Sequence, residues 1–293
     1  MSETTENLRR QIDTAADLQS VVRTMKAVAA SSVGQYQRSV GALADYDRTV
    51  ELGLGACFRA GEPAATGKSR GRTASDGIGA VVFGSDQGLV GRFNEVVAED
   101  AMAAFAALPG TVQIWAVGER VHAHLVDAGR PPRGLFPVPS SVAAIAPLVG
   151  QILLESETRR SGPPVTELHL FYNRPTSGTA YAPVRQRLLP LDEEWRRKLA
   201  ERPWPTRSLP EVVGGSTATL RALIREFLFV SLFRACAESL ASENASRLAA
   251  MQRADENIDD LLTTLHGTFY RLRQDGIDEE LFDVVSGFEA LSK

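Results

Sequence analysis

Fifteen prolines stand in this chain of 293 residues, yet none precedes Pro63 and none follows Pro210. Proline removes a backbone donor and clashes with the preceding helical turn, so both proline-free ends can be long helices. Within the first, apolar or small residues recur at Leu8, Ile12, Ala15, Leu18, Val22, Met25, Ala29, Val33, Tyr36, Val40, Leu43, Tyr46 and Val50. Twelve steps cover 42 residues, or 3.5 per step. That is the period of a seam wound left-handedly around a partner helix, whereas a lone surface helix drifts at about 3.6. The last segment repeats the pattern less strictly from Leu220 to Leu272. Gly267 and Gly276 interrupt it, but each costs only about 1 kcal/mol relative to alanine and need not end a helix.

Between the two ends the signal changes. Residues 63–76, PAATGKSRGRTASD, read as a Gly/Ser/Arg-rich linker. Buried strands are expected over Ile78–Phe83, Val112–Val117 and Val165–Tyr172, and helices near Glu95–Ala107, Glu119–Asp127 and Val142–Glu155. Such alternation implies a mainly parallel sheet with crossover helices. Thr179–Leu189 adds a candidate edge strand, and the Pro-rich piece Arg202–Glu211 leads back to the second long segment. The expected fold is α/β plus a long α-helical coiled coil, an antiparallel two-helix rod from both termini with an inserted Rossmann-like α/β domain. Its parts are residues 1–62 as the first helix, 63–76 as linker, 77–195 as the inserted domain, 196–215 as a Pro/Gly-rich connection and 216–293 as the last helix. The alternative is a helical bundle in which each long segment breaks into two or three shorter helices.

The C-terminal segment is the longer by roughly 20 residues, or about 30 Å of helix, and should outrun its partner. There Ile277, Leu281, Val284, Val285, Phe288 and Leu291 fall on one broad stripe that needs other cover.

The chemistry usually carried by an α/β domain is not legible. Gly84, Gly88 and Gly91 in GSDQGLVGRFN match neither the GxGxxG of a dinucleotide site nor the GxxxxGK of a phosphate loop. The GKS at Gly67–Ser69 has Glu62 where such a loop needs glycine. His122, His124, His169 and His266 form no HExxH, and the run Asp255–Asp260 lacks the glycine and terminal glutamate of a calcium loop. Cys57 and Cys236 lie far apart and read as small buried hydrophobes. No cofactor, metal or catalytic set is therefore expected. A net charge of −4 and a pI near 5.7 offer no basic surface for nucleic acid. No run approaches the ~20 apolar residues of a membrane span, so no direct membrane insertion is expected. The polar N-terminus MSETTENLRRQ resembles neither a secretory signal nor a transit peptide. A long rod without a catalytic constellation is most simply a mechanical or scaffolding part.

Three stretches carry a family resemblance: Thr24–Ser32 (TMKAVAASS), Ser85–Asn94 (SDQGLVGRFN) and Leu240–Leu262 (LASENASRLAAMQRADENIDDLL). In order and spacing they resemble the gamma subunits of F-type ATP synthases, and Arg273–Leu291 continues the match. Val90 replaces a usual cysteine and Arg92 a glycine, and Pro203–Gly215 departs from the family consensus. With no cysteine pair in the middle domain, the thiol switch of chloroplast members is not expected. The resemblance implies a shaft held in a head of alternating alpha and beta subunits, with its globular end against the epsilon subunit and the membrane rotor ring of c subunits. It implies a non-catalytic, peripheral protein on the cytoplasmic face of the bacterial cell membrane, with the catalytic groups on the beta subunits. The positions matching head-contacting residues are Met25, Arg247 and Gln274. Two other readings stay open at this point: a freestanding coiled-coil adaptor with an α/β protein-binding domain, and a small α/β enzyme with helical arms.

Overall fold

The computed structural model describes residues 4–60, 77–157, 165–177, 180–208, 210–211 and 216–291. The expected linker at 63–76, with its GKS, lies outside the described residues, as does part of the connection before the last helix. In chain order the helices are α1 (Thr5–Arg59), α2 (Phe93–Ala107), α3 (Glu119–Asp127), α4 (Ile145–Glu157), α5 (Glu193–Glu201) and α6 (Ser216–Leu291). The strands are β1 (Gly77–Phe83), β2 (Val112–Val117), β3 (Gly134–Phe136), β4 (Val165–Pro175) and β5 (Tyr181–Leu189). Two compact units result, one of residues up to 29 and from 248 onward, the other of residues 30–247.

α1 and α6 are each one uninterrupted helix, of 55 and 76 residues, so the bundle of shorter helices does not form. A Cβ added to Gly267 or Gly276 would meet only open space, and the helix runs through both. In the first unit α1 and α6 pair antiparallel: Gln19 faces Asp259, and Arg23 faces Asp255. The buried positions of α1 there are Leu8, Ala15, Gln19, Val22 and Ala29. Four of these lie seven apart, the spacing of one side of a coiled-coil seam. Leu18, expected in the seam, is exposed instead, and its neighbour Gln19 is buried and donates to the Asp259 carboxylate at 3.3 Å. A polar layer thus replaces an apolar one, which fixes register at some cost in stability.

In the second unit the heptad continues through Tyr36, Val50 and Cys57, while Tyr46 turns outward and donates its hydroxyl to Glu226 of α6 at 2.6 Å. The sheet order is β3-β2-β1-β4-β5, parallel through the first four strands, with β5 antiparallel on the edge. β1 (GIGAVVF) is buried throughout because both of its faces are covered. Val81 and Phe83 pack into a cluster with Ile145, Ile152, Leu232 and Cys236, whereas Ile78, Ala80 and Val82 pack with Val97, Phe105 and Leu125. α6 therefore serves the sheet and α1 at once, which explains its nearly continuous burial from Leu228 to Ala245.

Two elements carry no clear sequence signal. β3 has only three residues, too few for alternation to register. α5 is short and strongly polar; the Asp192 side chain caps it by accepting the Trp195 N–H at 2.9 Å, and Leu199 anchors it against Val50, Leu54 and Cys57. The approach is close enough that a Cβ on Gly55 would lie 2.5 Å from the Leu199 carbonyl oxygen. Both cysteines are buried, in keeping with their reading as small hydrophobes.

Candidate functional site

The stretch after β1 is a loop with no slack. Gly84 donates to the Val117 carbonyl, and a Cβ there would lie 2.4 Å from Val121 and 2.6 Å from Asn94. The Asn94 side chain accepts the Ser85 N–H and donates to the Ser85 hydroxyl, both at 2.8 Å. Asp86 accepts the N–H of Glu119 at 3.0 Å and of Val138 at 2.9 Å, so one carboxylate ties the loop to the start of α3, where the helix dipole favours negative charge. Leu89 is then held at φ 62° and is 60% exposed. The next carbonyl, of Val90, accepts from the Ser246 hydroxyl of α6 at 2.6 Å. Ser242 donates to the Asn173 carbonyl, and Asn173 to the Phe93 carbonyl.

Two of the three sequence stretches, Ser85–Asn94 and Leu240–Leu262, therefore form one joint. Its place matters, because ligands of doubly wound sheets enter beside the carboxyl ends of the strands where strand order reverses. Here that crevice, between β1 and β4, is filled by Asn94, Asn173 and Ser242 of the chain itself. Among the described residues no group of three His, Cys, Asp or Glu is placed to hold a metal ion. Gly84→Ala should cost about 1–3 kcal/mol by overpacking this joint, read as a lowered unfolding midpoint of the purified chain. An unchanged midpoint would mean that the loop can give way.

Of the three residues singled out by sequence, none meets another in a common cluster. Met25 belongs to the first unit and is half-buried, packed against Ala15, Val22, Met251 and Ile258. It is flanked by an ion cluster in which Arg23 and Lys26 grip Asp255 at 3.1 and 3.2 Å. The Asp255 pKa lies below the usual carboxylate range: burial pushes it up, but the bonds from Lys26 and Arg23 together outweigh that. Gln274, on the same unit's α6, is exposed and stands 16 residues beyond Ile258, or roughly 24 Å along the helix.

Arg247 lies in the second unit and is engaged within its own helix. Its Nη2 donates to Glu243 Oε1 at 2.7 Å, with only 12% and 7% of the two side chains exposed. Burial raises the Glu243 pKa, and Arg247 partly restores it. Glu243 Oε2 and Arg247 Nε are buried with no hydrogen-bond partner. Glu243 was legible only as spacing: a glutamate four residues before an arginine on a helix is a candidate pair.

Past Leu272, every described side chain of α6 is exposed. Thr5, Glu6 and Arg9 of α1 line a shallow depression with Phe269 and Arg273, so α1 runs out there. Ile277, Leu281, Val284 and Val285 stand 50–72% exposed, and Phe282 74%. The side chains of Phe288 and Leu291, expected on the same stripe, lie outside the described residues. No described helix is long and apolar enough to cross a membrane.

A sequence-family profile for ATP synthase matches residues 4–291. The ATP synthase gamma chain of a Nocardioides species is 27% identical, the match covering 97% of this chain and 95% of that one. The gamma chain of Nostoc punctiforme is 28% identical over 97% of this chain and 98% of its own length. Among solved structures, a chain of the Euglena gracilis mitochondrial ATP synthase in an OSCP/F1/c-ring assembly superposes with a TM-score of 0.65 at 18% identity, covering 98% of this chain and 94% of that chain. A chain of the Tetrahymena thermophila central stalk/c-ring structure gives 0.56 at 21% identity, over 80% and 99%.

Proposed function

Because the chain belongs to the ATP synthase family as a gamma chain, the central-stalk rotor subunit of the F-type enzyme, we propose that it couples ion flow through a membrane rotor ring to ATP synthesis and hydrolysis on the beta subunits. Membership of this family displaces the adaptor and the small-enzyme readings. The chain carries no reaction of its own in this account. Its paired ends turn inside a head of alternating alpha and beta subunits, while the α/β domain meets the epsilon subunit and the ring of c subunits. It is held at the cytoplasmic face of a bacterial membrane through those partners.

The observation that carries this reading is the end of α6. A helix whose neighbouring turns are paired continues with large apolar side chains in the open. A free surface of this kind invites aggregation, and a surrounding apolar sleeve removes the cost. A shaft that is not symmetric also touches only one beta subunit in a given way at a time. Its angle then selects which site is open and which is tight, by binding one conformation better than another. Limited proteolysis tests the arrangement. In the assembled complex, cleavage beyond Asp275 should be suppressed relative to the free chain; equally rapid cleavage in both would remove the sleeve.

A further inference from the structure

Two kinds of contact hold α6 in the unit of residues 30–247. The first is apolar and made largely of small side chains: Ala235, Cys236, Ala237 and Ala241 join Leu232 and Leu240 in the cluster beneath the sheet. The second is a row of polar residues, Glu238, Ser242 and Ser246, spaced four apart over about 12 Å of helix. Glu238 accepts from Arg174 Nε, at the end of β4, at 2.8 Å. Ser246 donates to the Val90 carbonyl, in the loop after β1, at 2.6 Å. Between them the single Ser242 proton has two carbonyls in reach, Asn173 of β4 at 3.0 Å and Glu238 of its own helix at 2.9 Å. Ser242 therefore adds to the row only in part. A further bond from α6, Arg225 to Glu157 of α4, is exposed on both sides and so is weakened by solvent.

Apolar contact follows the area buried and has no preferred direction, so side chains as small as Ala235, Ala237 and Ala241 resist a turn of the helix only weakly. A hydrogen bond weakens steeply once its angle is lost. We propose that Glu238 and Ser246, helped by Ser242, are positioning residues that key α6 against turning or sliding in the α/β domain, so that torque carried by the helix reaches the domain without slip. The proposal rests on the rotor reading and adds the place within the chain where torque is handed over. α6 is one helix from Ser216 to Leu291, and Ser246 is the first member of the row met from its far end. Its partner follows β1 and that of Glu238 ends β4, two strands paired side by side, so the load is shared by the centre of the sheet. Every group of the key belongs to this chain and turns with it, so the key holds at each rotary angle.

The test fixes the head of the assembled complex to a surface and attaches a bead through Asp127→Cys on α3, where the native residue is exposed and the chain's own cysteines are buried. Angular fluctuation of the bead during a catalytic pause reads the torsional stiffness between head and α/β domain. Glu238→Gln/Ser246→Thr, which keeps an acceptor and a hydroxyl in place, should fluctuate like the parent. Glu238→Ala/Ser246→Ala should raise the angular variance about twofold, because contact without direction replaces bonds that have one. Ser246→Ala alone, which removes one part-buried hydroxyl and leaves the Arg174–Glu238 pair, should raise it by less. Unfolding midpoints of the free chains are measured beside this. A lowered midpoint with the parent's variance in the alanine variants marks ordinary stabilising contacts and overturns the key. If the double alanine variant does not assemble, the single variant decides, and the parent's variance there overturns the key. A parent bead that never turns with ATP overturns the rotor reading, and this proposal with it.

Discussion

Met25→Lys in the assembled synthase is expected to leave ATP hydrolysis running while ion pumping falls about tenfold, equivalent to about 1.4 kcal/mol of added depth in one rotary position. Methionine is flexible and uncharged, suited to a contact that slides. A lysine in its place grips carboxylates of one beta subunit more firmly at one angle than at the next, and unequal wells impede a cycle of nearly balanced steps. Met25 is half-buried beside Val22 and Met251, so a packing role must be separated from a contact role. Met25→Ala does this, because truncation leaves a gap in the seam, at about 2 kcal/mol or less for a half-buried site, but adds no charge. Coupled pumping in the alanine variant beside uncoupled hydrolysis in the lysine variant marks a contact residue. Equal loss of assembly in both marks a seam residue.

Arg247→Ala should lower the unfolding free energy of the chain by about 3–5 kcal/mol, because it leaves the Glu243 carboxylate buried without its counter-ion. The sign with pH follows from the direction of the Glu243 shift. Its folded-state pKa already lies above the ordinary carboxylate value, and removing Arg247 raises it further. Stability from such a group is present in acid and is lost as pH rises through the raised value. The damage in the variant is thus greatest near neutral pH and shrinks on acidification. Adding Glu243→Gln to Arg247→Ala should recover much of the loss by removing the charge to be buried. Denaturant titrations of the parent, single and double variants at two pH values give the answer. If the single variant is as stable as the parent and only coupling suffers, Arg247 acts outward on the head and not inward on Glu243.

Much of the architecture was legible in the residues for identifiable reasons. The missing prolines and the 3.5-residue period announced α1, and the continuous apolar run at Ile78–Phe83 announced a central strand covered on both faces. Periodicity misplaced Leu18 and Tyr46 in the seam, since it counts apolar residues and cannot see a glutamine that finds an aspartate across the interface. α5 escaped because it is only nine residues long and strongly polar, held by a cap and by two apolar anchors, Leu199 and Trp195, too few to register as a helical period. At the candidate site, sequence likeness supplied Met25, Arg247 and Gln274 as separate positions but not their surroundings. The Glu243–Arg247 pair is local, 4 residues apart on one helix, and leaves a trace in the sequence, whereas the joint between Ser246 and Val90 is a tertiary contact 156 residues apart and leaves none.

This chain is the central-stalk shaft of a rotary head. Affinity purification of the tagged chain from its own cells, with subunit masses and stoichiometry read by native mass spectrometry, tests it most directly. One copy of the chain bound to a head of alpha and beta subunits, with ATP turnover lower in the same head assembled without it, is the predicted result. A homodimer of the chain free of alpha and beta subunits would contradict the account.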